Sequence, residues 1–196
     1  MKKILFATLL TASFAFSAPA SAKEKIRLDA SFKIMEFNSA ASDYMERPTF
    51  LELIVRKKKP EQLYILSDFI KKSDTGIAMG GYEFTSLSAT AIDDYIAAID
   101  KYFAWHKIAS QDGDIIDKEI AKAMGRKKSL KVKFGFYSAN AQSHYLTLQT
   151  CAVGTCMEPT MVLDYKNAQA LKDTLLTWKA GNLQGISEAE TNDKYK

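Results

Sequence analysis

The sequence predicts an α+β fold in which antiparallel sheets are each followed by an amphipathic helix. Three observations predict it. Apolar residues alternate with polar ones in short runs, as at Leu130, Val132, Phe134 and Phe136. That period gives way twice to three- and four-residue spacing, the period of a helix with one buried face. Turn residues separate the runs, so neighbouring strands connect locally.

The chain opens with an export signal over residues 1–22. Lys2 and Lys3 form a positive start, Ile4 to Phe16 an apolar run, and Ala18-Pro19-Ala20-Ser21-Ala22 a small-residue cleavage site. The run is shorter than the roughly 20 residues that span a bilayer. No later run is comparable, and Lys23 stands where a lipoprotein would carry Cys. The expectation is a periplasmic or secreted protein without a membrane span. The remaining length suits a single domain that buries about 70% of its unfolded surface. Without Lys2 and Lys3 the 27 basic residues fall to 25 against 23 acidic ones, a net charge of +2. So small an excess is a weak argument for an anionic partner.

In order along the chain, Ile26, Leu28, Ala30, Phe32 and Ile34 read as one half-buried strand, followed by a polar stretch from Asn38 to Arg47. Phe50 to Val55 is a strand ending in the turn Arg56-Lys57-Lys58-Lys59-Pro60. Gln62 to Ile70 fits both a helical and a strand face, and strand is preferred. Asp74-Thr75-Gly76 and Gly80-Gly81 read as two turns, and Tyr82 to Leu87 as an aromatic strand.

A helix is expected from about Ser88 to Ala109, with Asp93 and Asp94 near its positive end and Ile92, Tyr95, Ile96, Ile99 and Phe103 inward. Asp112-Gly113 closes it. Ile115 to Ala121 is strand or short helix, and Leu130 to Tyr137 a strand. Tyr145 to Cys151 and Met157 to Leu163 form a hairpin. A second helix runs from about Asn167 to Trp178 with Ala168, Leu171 and Leu175 inward. Gly181 ends it, and residues 182–196 are a polar tail.

Cys151 and Cys156 are the only cysteines. In an oxidising compartment a close isolated pair reads as a disulfide, and the four intervening residues argue against a redox C-x-x-C site. Paired cysteines leave no zinc-ligand set. No cofactor is expected, because neither a G-x-G-x-x-G nor a P-loop occurs.

His106 and His144 are the only histidines, and no nucleophile-elbow pattern surrounds any serine. Asp112, Asp114, Asp117 and Glu119 lack the D-x-D-x-D-G order of a calcium loop, with Ile115-Ile116 interrupting them. They read as a solvated turn. No catalytic residue is assigned.

Four features repeat in one order at nearly one offset. Arg56 and Arg126 lie 70 residues apart, Ile65 and Phe136 71, Phe103 and Leu175 72, and Trp105 and Trp178 73. This spacing suggests a degenerate tandem repeat of three strands and a helix over 48–110 and 114–181. Two basic turns, Arg56-Lys57-Lys58-Lys59 and Arg126-Lys127-Lys128, then stand beside aromatic strands carrying Tyr64, Tyr82, Phe84, Phe134, Phe136, Tyr137 and Tyr145. A groove with basic rims and ring faces can track a polymer. In architecture alone, the sheet-plus-helix order resembles the curled folds of Whirly-type single-stranded-DNA-binding proteins. That resemblance implies a groove for nucleic acid, which export and near-neutral charge oppose.

The functional expectation is therefore a non-enzymatic binding protein for a protein or envelope polymer. Its binding residues would be Arg56, Lys57, Lys58, Lys59, Arg126, Lys127, Lys128, Tyr82, Phe84 and Phe136. A single-stranded nucleic-acid binder is the first alternative, and a hydrolase with an acid–base pair assembled across the fold the second. A free sheet edge could also pair two copies into a homodimer.

Overall fold

A computed structural model describes residues 23–57, 59–72, 78–157 and 160–194, with side chains at 60, 69–72, 78–83, 188–189 and 191 left aside. The expected export signal, Lys58 and the expected Asp74-Thr75-Gly76 turn lie outside the described residues.

The elements in chain order are β1 (Glu24–Asp29), β2 (Ile34–Asn38), β3 (Asp43–Arg47), β4 (Thr49–Arg56), β5 (Lys59–Lys72), β6 (Ala78–Ser88), α1 (Ile92–Asp112), β7 (Ile116–Met124), β8 (Leu130–Asn140), β9 (Ser143–Ala152), β10 (Thr155–Cys156), β11 (Met161–Leu163), α2 (Tyr165–Lys179), β12 (Ile186–Ser187) and α3 (Glu188–Lys194). Two antiparallel sheets result. The first has the order β12-β1-β4-β5-β6, and the second β3-β2-β11-β9-β8-β7 with β10 also on β9. The meander β4-β5-β6 leads into α1, and β7-β8-β9 leads through β11 into α2, so each sheet is followed by an amphipathic helix.

The alternation from Ile26 to Ile34 is not one strand. β1 belongs to the first sheet and β2 to the second, and the chain crosses between them at residues 30–33. Ala30, Phe32 and Ile34 are all buried, so the burial period survives the crossing and conceals it. The polar stretch after Asn38 contains β3, paired with β2 from Ile34–Arg47 to Asn38–Asp43. Residues 62–70 are strand, as preferred. Gly80 and Gly81 are not a turn: they pair inside the long β5–β6 hairpin with Ile70 and Phe69.

Ser88 makes no side-chain cap. A 3-10 turn at Ala89–Ala91 intervenes before α1, and Gly113, at φ 72°, ends the helix by donating its N–H to the Ala109 carbonyl. The inward face uses Tyr102 rather than Phe103, which is only partly buried. On α2 the Asp164 carboxylate caps the N–H of Asn167, and Ala168, Leu171, Leu175 and Trp178 are buried.

One continuous core joins both sheets with α1 and α2, centred on Phe32, Leu63, Ile65, Leu87, Tyr95, Tyr102, Phe134, Phe136, Leu171 and Trp178. Truncating such a residue, Phe134→Ala for example, costs roughly 3–5 kcal/mol. Tyr95 fixes the junction of the sheets. Its hydroxyl accepts the Ser88 N–H at 2.9 Å and donates to the Met124 carbonyl, and burial pushes its pKa up to about 12. Beside it, Leu87 of β6 bridges Gly125.

The polar tail folds. β12 pairs Ile186 with Arg27 and Ser187 with Ile26, and α3 starts on a reciprocal cap between Ser187 and Glu190.

Candidate functional site

Register determines which side chains share the solvent face of the first sheet. Asp29 stands opposite Phe50, Phe50 opposite Leu66, and Leu66 opposite Phe84. The adjacent row is Arg27, Glu52, Tyr64 and Ser86. Because side chains alternate in period 2, Leu51, Leu63, Ile65 and Leu87 fill the core while Phe50, Leu66 and Phe84 face out. Phe50 is 42% and Phe84 52% exposed. Tyr64 packs on Phe84 with ring centroids 5.8 Å apart.

The Leu87–Gly125 bridge brings the β7–β8 turn to the β6 edge of this sheet. From there Arg126 donates through Nη1 to the Tyr64 hydroxyl at 3.4 Å, and Tyr64 donates to Gln62 Oε1 at 3.2 Å. Lys127 and Lys128 follow, both exposed. The other basic turn closes the β4–β5 hairpin that carries Tyr64. There Arg56 lies 3.6 Å from Glu61, Lys57 holds a left-handed backbone at φ 49°, and Lys59 is exposed. Both turns thus border one aromatic surface.

One other expected residue falls elsewhere. Phe136 is 1% exposed and packs against Tyr102 and Trp105, so it is core and presents no face. Its alternation with Phe134 was real, but that face points inward. The side chain of Tyr82, like Lys58, lies outside the described residues. Sequence reasoning missed Phe50 and Leu66 as surface residues. Only cross-strand register reveals that they continue the row of Phe84.

The two histidines meet. Their ring centroids are 4.9 Å apart, and Tyr165 lies 4.7 Å from His106. His144 is buried, with Nδ1 2.9 Å from Ser138 Oγ and Nε2 3.1 Å from the Ala141 carbonyl. Ser138 donates its hydroxyl to the Asp114 carbonyl at 2.5 Å. Neither imidazole bonds to a carboxylate among the described residues. Ser138 is itself buried, and its proton is held by a backbone oxygen. This cluster fastens the β8–β9 hairpin to the segment before β7.

Asp112 ends α1, Asp117 is exposed on β7, and Glu119 pairs with Lys122 at 3.0 Å. Among the described residues no three His, Cys, Asp or Glu side chains are grouped to hold a metal ion. Cys151 and Cys156 are disulfide-bonded directly opposite each other on β9 and β10.

A cavity of about 870 Å³ lies where α2, residues 183–186 and the strands β1, β4 and β5 meet. Leu28, Leu51, Leu66 and Leu183 are among its apolar lining, with Arg27 and Asp173 among its charged residues. Its size is that of a small-molecule site. Gly185 makes its wall possible: a Cβ there would stand 2.3 Å from the Arg27 carbonyl oxygen and 2.6 Å from Leu28 Cγ.

No protein-family model, curated protein or solved structure matches the chain.

Proposed function

We propose that this is an exported binding protein that engages an extended acidic partner, a protein segment or an envelope polymer, across the solvent face of the first sheet. The observation that carries this reading is the outward row Phe50–Leu66–Phe84, with Tyr64 and Arg126 beside it. Aromatic side chains with an adjoining guanidinium are the side chains that dominate binding energy at interfaces. The basic turns at Arg56–Lys59 and Arg126–Lys128 set the sign of the partner. Recognition needs no covalent step.

The disulfide and the apolar start of the chain support export. Among the described residues no helix is long and apolar enough to cross a membrane. A single nucleic-acid strand would use the same surface, its bases on Phe84 and its phosphates on Arg126, and its affinity would fall steeply with salt.

The test is capture from the exported fraction on immobilised protein, with Phe84→Ser and Arg126→Glu/Lys127→Glu variants alongside. One defined acidic protein or polymer should be captured by wild type and lost from both variants. Equal capture by all three would overturn the assignment, and capture of nucleic acid alone would replace it with the second reading.

A further inference from the structure

The solvent face of the second sheet carries a different aromatic surface. Phe37 of β2 and Tyr44 of β3 are register partners, with ring centroids 5.4 Å apart and edge-on. Tyr44 lies 4.6 Å from Tyr145 of β9 at a tilt of 46°. Tyr145 stands opposite Tyr137 of β8, nearly parallel to it at 6.3 Å. Phe37 is 55% exposed, and the three tyrosines are half-buried.

Carboxylates bound the strip at both ends. Glu46 stands opposite Met35 and so shares the face of Tyr44 and Phe37. Asp43 precedes Tyr44, and Asp117 is the register partner of Tyr137. None of these three forms an ion pair among the described residues. Burial first, and then Asp43, raise the Tyr145 hydroxyl above its ordinary pKa. On the first sheet, by contrast, the guanidinium of Arg126 stands beside Tyr64, which packs on Phe84.

We propose that this strip is a docking surface for an extended basic polypeptide segment, one presenting Lys or Arg side chains to the ring faces. A guanidinium or ammonium over a tyrosine face is attracted by the ring quadrupole. The end carboxylates then pair with flanking cations. An acidic chain would be repelled, and a neutral glycan would leave all three carboxylates without a counter-charge. The two sheets thereby take partners of opposite charge, so this inference stands apart from the binding role of the first sheet.

The experiment is a titration of a labelled alternating Arg-Gly peptide into the mature protein at low salt. Oligo-glutamate and a neutral β-linked oligosaccharide serve as comparison ligands. The basic peptide should bind, weaken with salt, and weaken about tenfold or more in both Phe37→Ser and Asp117→Lys. Leu176→Ser, on the exposed side of α2 and outside both sheet faces, should bind the peptide as tightly as wild type. Both strip positions are exposed, and far-UV circular dichroism checks that each variant folds. The proposal is overturned if wild type does not bind the peptide, if the strip variants bind as wild type does, or if the glycan or oligo-glutamate binds equally well.

Discussion

The imidazoles of His106 and His144 meet edge to face, 4.9 Å between centroids. Burial first, and then the neighbouring His144, hold His106 below its ordinary value of 6.5. A base depressed in the folded state binds fewer protons there than in the unfolded chain. Stability is therefore complete above about pH 6.5 and declines as pH falls from there to the folded pKa. Thermal melts between about pH 7.5 and 5 should show this decline, and His106→Gln should flatten it. An unchanged slope in the variant would assign the pH dependence to other groups.

Thr49 and Ser67 are register partners, both buried, with unequal hydroxyls. Thr49 accepts the Ile34 N–H at 2.8 Å and donates to the Arg47 carbonyl at 2.9 Å. Ser67 Oγ has no hydrogen-bond partner among the described residues. Ser67→Ala should stabilise the protein by about 1 kcal/mol, while Thr49→Val should cost roughly 1–3 kcal/mol. Urea midpoints at constant slope measure both.

Gly185 has no room for a methyl group against β1. Gly185→Ala should dislodge β12 and cost about 1–3 kcal/mol, as overpacking does. Limited proteolysis should then cut near residues 182–187, where wild type resists.

Joining Cys151 to Cys156 closes a loop of about six residues, which corresponds to roughly 2 kcal/mol of chain entropy. Within that loop Val153 and Gly154 both hold left-handed backbones. The double Ser variant should lose about that much stability, measured against wild type with and without reductant.

What the sequence discloses depends on how local the cause is. The periods of α1, α2 and β8 come from neighbouring residues, and so do the caps at Asp164 and Gly113. Sheet membership does not. Ile26 through Ile34 keep one burial rhythm while moving between sheets, because both sheets border one core. Phe136 and Phe84 each alternate well in their strands, and only the side on which the helices pack makes one core and the other surface. The folded tail did carry a local signal, the Ser187-to-Glu190 spacing of a capping box, but the polar composition around it outweighed that signal. The histidine pair and the Phe50 row needed contacts between distant strands, which no local pattern reports.

The crossing at residues 30–33 also governs how the molecule comes apart. β1, inside the first sheet, runs on into β2 of the second, and the second is completed by β2 and β3, which precede most of the first. Neither sheet can be assembled from a contiguous half of the chain, and Phe32 sits fully buried at the crossing. The two halves are laced together like the two sides of a boot. Heating should accordingly give one cooperative transition, with calorimetric and van't Hoff enthalpies equal, and a fragment covering residues 114–181 alone should remain unfolded.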